Sequence, residues 1–221
     1  MRKLLYIWIL LPLCIACERD LMSYEGEEAI YFAVQSGHSY ASEKDWPYMP
    51  YTLAEFGKVQ EDTMVVNIKV MITGPDGFFG PEKDYPRPFR VVVNPDSTTA
   101  REGIDYRALV DEYTVEANRS YAYIPVLFYR QPEMKNDTVT LGLKLVANDH
   151  FSLTFKEFDK MEGFTSGSVV FEQFDATMHK ILVTDIMPKP SQWSDWEFGT
   201  FTPEKLNRIC LELGYTYADF Q

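Results

Sequence analysis

Few residues in this chain are of the kinds that carry covalent chemistry, and their spacing argues against such use. Cysteines stand at 14, 17 and 210, and histidines at 38, 150 and 179. Cys14 and Cys17 have the C-x-x-C spacing of a redox pair or of half a zinc site. Both uses require a folded scaffold around the pair. A zinc site would also need two further ligands at short spacing, whereas His38, His150, His179 and Cys210 lie far apart. The sequence has no G-x-S-x-G, no H-E-x-x-H and no cysteine beside a histidine, so no nucleophile has a base next to it. The 33 acidic residues offer many pairs at glycosidase spacing, and no sequence rule selects one. The expectation is a non-enzymatic protein with no cofactor and no metal.

What the C-x-x-C does is set by its surroundings. Arg2 and Lys3 precede an uncharged apolar run from Leu4 to Ala16, 13 residues long. A membrane-spanning helix needs about 20 apolar residues, so the run has the length of a signal-peptide core instead. Cleavage after Ala16 leaves Cys17 as the first mature residue. Plain secretion with the same cleavage is the simpler alternative to any further processing.

Charge excludes some partners. The chain carries 21 basic and 33 acidic residues, a net charge of −12, and loss of Arg2 and Lys3 makes the mature form more acidic still. Nucleic acid requires a basic footprint, and anionic lipid headgroups attract Lys and Arg clusters; neither fits. If Cys17 is modified at the new N-terminus, Cys210 is the one thiol left, so no internal disulfide can form and the core alone must stabilise the fold. A hydrophobic fraction of 46%, with 15% aromatic residues, is compatible with that.

Periodicity gives an all-β reading. In Met64–Thr73, Val66, Ile68, Val70 and Ile72 alternate with residues that include Asn67 and Lys69, the pattern of a strand with one buried face. Ile30–Val34, Phe89–Val93, Tyr121–Tyr129 and Thr138–Val146 read similarly, the last with Val139, Leu141, Leu143 and Leu145 inward. Turn-forming stretches separate them, and no helical pattern intervenes, which predicts an antiparallel sandwich. Pro125 cannot donate to a ladder, so its strand is at an edge or bulged. Further strands are expected at Ser168–Phe171 and Met178–Thr184. A short helix over 203–213 follows, with Thr202 as N-cap, Pro203 in the first turn and Gly214 as its stop. Leu206, Ile209, Cys210 and Leu213 form its apolar stripe, which makes Cys210 a small buried hydrophobe. The expected division is a signal peptide (1–16), a tether (17–28), a β-sandwich (29–157) and a smaller β-rich C-terminal region (158–221) ending in the helix.

Three segments resemble known families. Leu13 to Cys17 is similar to the lipobox of bacterial lipoproteins, with Cys14 where leucine is usual. Glu18, Arg19 and Asp20 then resemble the surface-export signal of Bacteroidota lipoproteins. Residues 94–106, with Thr99, Ala100, Gly103, Asp105 and Tyr106, resemble the signature of Calx-β-like, immunoglobulin-like sandwich domains, and 112–128 resembles the strand, turn and strand that follow, with Asn118 in place of the usual turn glycine. Thr184–Gly214 is similar to the tail of a Bacteroidota lipoprotein family of unknown function. Together these imply a lipid-anchored outer-membrane protein facing the cell exterior, acylated at Cys17. They also imply association with a TonB-dependent SusC-type transporter and a SusD-type lipoprotein in oligopeptide or glycan import. A self-standing surface protein for adhesion or for binding host proteins or glycans is the alternative. No catalytic residues come with the resemblance. Calcium-binding relatives of the Calx-β domain use acidic loops, for which Asp105, Asp111, Glu112 and Asp149 are the nearest equivalents. A backbone-capping role for Asp105 is the preferred reading.

Candidate binding residues are aromatic. Tyr40, Trp46, Tyr48 and Tyr51 crowd a polar, proline-containing stretch without strand periodicity, where they either bind a ligand or partner or cover one end of the sandwich. Trp196 poses the same question, whereas Trp193 is expected in the core. Thr63, Ser97 and Thr138 sit in short Asp-Ser/Thr motifs that resemble Bacteroidota O-glycan acceptors. If Cys17 is the anchor, Cys17→Ala releases the protein from the membrane fraction, as immunoblotting of fractionated cells would show; a variant that still pellets with membranes contradicts the assignment.

Overall fold

The computed structural model describes residues 26–37, 42, 45–74, 83–164 and 167–221. Two sheets face each other. One has three strands in the order β1 (Ala29–Phe32), β3 (Thr63–Thr73), β6 (Tyr121–Tyr129). The other has five, in the order β2 (Tyr51–Glu55), β10 (Met178–Thr184), β7 (Val139–Val146), β4 (Arg87–Val93), β5 (Tyr113–Val115). Two-residue strands β8 (Glu157–Phe158) and β9 (Phe174–Asp175) pair beside them. The protein is an all-β sandwich with a small helical cap.

Alternation builds the core. Val66, Ile68, Val70 and Ile72 are buried as the period of two requires, and from the facing sheet so are Phe89, Val91, Leu141, Leu143, Leu145, Ile181 and Val183. Val139 is only partly buried, at the start of its strand. Pro125 lies opposite Asn67 on β6, an edge strand. Leu127 accepts from the Arg107 amide, and the Tyr129 amide donates to Asp105, both away from β3. Backbone groups of alternate residues point to the same side, so Pro125 also faces outward, where a missing N–H costs no ladder bond. Asn118 takes the left-handed conformation (φ 57°) that glycine would otherwise supply in the β5–β6 turn.

Several expectations change. Tyr51–Glu55 is a strand, paired parallel with β10 in an otherwise antiparallel sheet. Ser168–Phe171 is not a strand; Val169 and Val170 are buried, and their carbonyls accept from the Tyr48 and Met161 amides. The strand at Met178–Thr184 forms, but between β2 and β7, so the sandwich continues across the expected boundary at 157/158 as far as Thr184. Beyond it, a helical turn α1 (Asp195–Phe198) and α2 (Pro203–Leu213) form a cap around Trp193, Leu206, Cys210, Tyr217 and Phe220. The Thr202 hydroxyl accepts from the Lys205 amide, and Gly214 ends α2 at φ 71°. Leu213 leaves the expected stripe, 65% exposed at this helix end. Burial raises the Cys210 thiol above its usual pKa, in keeping with an inert side chain.

The buried imidazole of His179 has no ion-pair partner among the described residues. His179 of β10 packs on Phe32, with Nε2 2.9 Å from the Thr52 hydroxyl, and burial lowers its pKa to about 3. Between pH 6.5 and 3 the unfolded chain takes up a proton that the folded chain refuses, so stability falls on acidification, by at most about 1.4 kcal/mol per pH unit. His179→Gln keeps a polar partner for Thr52 and cannot titrate in this range. Its melting temperature is expected to fall less than the wild type's between pH 7 and pH 5; equal falls contradict this origin.

Candidate functional site

The core-forming ladder of the three-stranded sheet also displays an outer face. On β3 the outward residues include Val65, Asn67, Lys69 and Met71, and on β6 Tyr121, Tyr123, Pro125 and Leu127. Lys69 lies opposite Tyr123, Asn67 opposite Pro125 and Met71 opposite Tyr121. These positions are half-buried or exposed, Tyr123 being 52% exposed. Residues 33–35 and Trp46, which follow β1 and precede β2, lie against this face. The Gln35 side-chain amide donates to the Trp46 carbonyl (2.7 Å) and to the Ser168 hydroxyl (2.9 Å). Backbone bonds Ser36 N to Pro47 O (3.1 Å) and Met49 N to Val34 O (2.9 Å) join the same two stretches. Gly37 lies so close to the Trp46 indole that any side chain there would overlap the ring. The result is a groove of about 380 Å³ lined by Gln35, Trp46, Asn67, Lys69 and Tyr123, within the few hundred Å³ typical of small-ligand sites.

Two cations converge on the Tyr121 ring beside it. The Lys69 ammonium lies 5.5 Å and the Arg119 guanidinium 5.4 Å from its centroid, and Arg119 donates to the Tyr121 hydroxyl at 2.6 Å. Tyr121 meets Tyr123 edge-on at 5.8 Å. β1, β3 and β6 contain no acidic residue, and Lys69 is their one charged side chain. The β1 side of the face is closed by packing. Tyr31 contacts Phe155 (4.7 Å) and Phe158 (5.7 Å), and Tyr48 stacks on Phe158 (4.7 Å). Burial, with Tyr48 nearby, pushes the Tyr31 hydroxyl up to about 12.

The aromatic candidates therefore separate. Trp46 lines the groove, and Tyr48 belongs to the packing beside it. Tyr51 is on the other sheet, lining a second groove of about 400 Å³ with Asn94, Ser97, Met178 and Lys180. Trp196 stands 93% exposed on the cap, whereas Trp193 is buried and donates to the Gly199 carbonyl at 3.0 Å. Tyr40 and Cys17 lie outside the described residues. Thr63 and Thr138 are exposed; Ser97 is half-buried, its hydroxyl filling the space a side chain at Gly142 would need. Gln35, Asn67, Lys69, Tyr121 and Tyr123 were not among the candidates. The available signal was two tyrosines at outward positions of an edge strand.

The remaining polar groups hold structure. Asp105, fully buried, accepts from the Arg101 amide (2.6 Å), Nε (2.9 Å) and Nη2 (2.9 Å), which together hold its carboxyl below the usual range. Gly103 turns the chain at φ 75° and Tyr106 packs inward. Asp111, Glu112 and Asp149 are exposed, and among the described residues no three potential ligands gather for a metal. A cavity of about 580 Å³ between sandwich and cap is lined by Arg130, Asp185, Glu204 and Asn207. There Arg130 is committed to the Phe56 and Val59 carbonyls and to Asp185 at 3.4 Å. No described helix is long and apolar enough to cross a membrane.

The fold is a β-sandwich with one open, aromatic outer face. By sequence, the chain belongs to the family described as Domain of unknown function (DUF4843), matched over residues 24–164. No curated protein matches it. Its structure is similar to the apo-form Calx CBD1 domain, at 9% identity and TM-score 0.40, covering 72% of this chain and 98% of that one. It is also similar to a putative carbohydrate binding protein from Bacteroides ovatus ATCC 8483 (7% identity, TM-score 0.40, 73% of this chain and 38% of that). A protein of unknown function from Bacteroides ovatus is similar at 13% identity and TM-score 0.38, with 70% and 43% covered. The chain spans less than half the length of these two Bacteroides proteins.

Asp105→Asn leaves the Arg101 amide a poorer acceptor and is expected to cost about 1–3 kcal/mol, with Arg101 itself half-exposed and screened. Because the folded carboxyl is the stronger acid, this stability is present above about pH 4 and is lost as pH falls through the folded value. Calcium is expected to leave the melting temperature of both proteins unchanged; a calcium-dependent rise abolished in the variant restores the ligand role.

Proposed function

We propose that this protein is a surface-exposed outer-membrane lipoprotein, and a non-enzymatic binding subunit of a SusC/SusD-type nutrient importer. It stages oligosaccharides or oligopeptides on the outer face of its three-stranded sheet. The observation that carries this reading is the groove at Trp46, where flat aromatic rings, the Asn67 amide and the Lys69 ammonium come together on the outer face of the sheet. Such a set orients a ligand and holds no activated nucleophile. Along the same face, Val65 (54% exposed), Val110 (56%), Pro125 and Leu127 line an apolar strip, which supports a protein partner on this side. The signal-like segment and Cys17 support the anchor.

The test is extraction of the native membrane in mild detergent, capture of this protein and mass spectrometry of what accompanies it. Stoichiometric recovery of a large β-barrel transporter and its lid lipoprotein is expected. Recovery of the protein alone contradicts the importer role and favours a self-standing surface binder.

A further inference from the structure

Resting on the binding-module reading, we propose that the ligand of the Trp46 groove is an acidic oligosaccharide, its carboxylate or sulfate held by Lys69 and Arg119. Three features of the face lead there. The first is charge. The chain is strongly acidic, at net −12, yet the three strands that build this face have no acidic residue and one cation, Lys69. Lys69 and Arg119 both turn to the Tyr121 ring, not to a carboxylate, and so present positive charge on a face whose strands carry no carboxylate. A neutral ligand would draw nothing from that contrast, whereas an anionic one would be steered to this face and repelled elsewhere.

The second feature is shape. Tyr123 and Trp46 offer ring surfaces beside the cations, and the C–H face of a pyranose packs on such surfaces, each ring presenting its negative face. The third is the polar complement. Asn67 lies in the same groove, and its side-chain amide can both donate to and accept from ring hydroxyls, while the Gln35 amide braces the groove wall through Trp46 and Ser168. An acidic peptide would satisfy the cations but brings no flat C–H face. Lys69 lies directly opposite Tyr123 in the ladder, so ring and ammonium are held side by side by the sheet itself.

The experiment is calorimetric titration of the full-length protein in mild detergent with a panel of uronic-acid and sulfated tetrasaccharides, neutral maltotetraose and cellotetraose, and tetraglutamate. At least one acidic tetrasaccharide is expected to bind about tenfold or more tightly than the neutral ones, the affinity falling as salt rises. Lys69→Met keeps the side-chain stem and is expected to remove that preference. The salt titration of the wild type needs no variant. Neutral and acidic sugars binding equally, with loss in Trp46→Ala, overturns the charge inference and leaves the binding-module reading standing. Tetraglutamate binding as tightly as the acidic sugars, through Lys69, overturns the saccharide class. Binding by none of the probes overturns the proposal, while the membrane co-purification judges the importer role separately.

Discussion

The ladder between β3 and β6, from Thr63 opposite Tyr129 to Met71 opposite Tyr121, decides both what this molecule buries and what it displays. Side chains alternate with a period of two, so one register fills the core with Val66, Ile68, Val70, Ile124 and Val126 and, by the same act, turns Asn67, Lys69, Tyr121 and Tyr123 outward. A slip of one residue would put Lys69 into the core and the valines into water. The core therefore enforces the geometry of the face. A binding surface on strands so constrained is pre-organised, and its ligand need not pay for ordering the side chains' supports.

The ends of the sandwich are fixed by polar contacts of a different kind. Arg87, buried on β4, pairs with Glu28 at 2.6 Å just before β1 and lies 5.4 Å from the Phe151 ring. That contact sets where the chain enters the sandwich after the expected tether. On the far side, β10 enters between β2 and β7 and makes the five-stranded sheet continuous. The cap that follows has its own aromatic cluster, and Trp193 closes it against Phe198, Phe201 and Phe220.

Much of the fold could be read from local pattern, because local pattern causes it. The alternation in β3, the Thr202 cap and the Gly214 stop each act within a few residues. Contacts that depend on distant partners could not be read this way. Tyr51–Glu55 becomes a strand because β10 lies beside it, far later in the chain, and nothing in Tyr51–Glu55 itself specifies that pairing. The site was legible in part for the same reason. Trp46 stood out by composition, but its companions lie on two other strands, and only the register shows that Lys69 and Tyr123 are neighbours. Tyr48 and Tyr51, close to Trp46 in sequence, belong to a packing cluster and to the opposite sheet.

The central claim is that the outer face of the three-stranded sheet, and not the exposed Trp196 of the cap, is where this protein meets its ligand and partner. Oxidative footprinting of the protein in intact cells, compared with the purified protein, addresses it directly because both surfaces carry reactive aromatic rings. The account expects Trp46, Tyr121 and Tyr123 to be protected in cells while Trp196 is modified equally in both. Protection of Trp196 with an unprotected sheet face would contradict it.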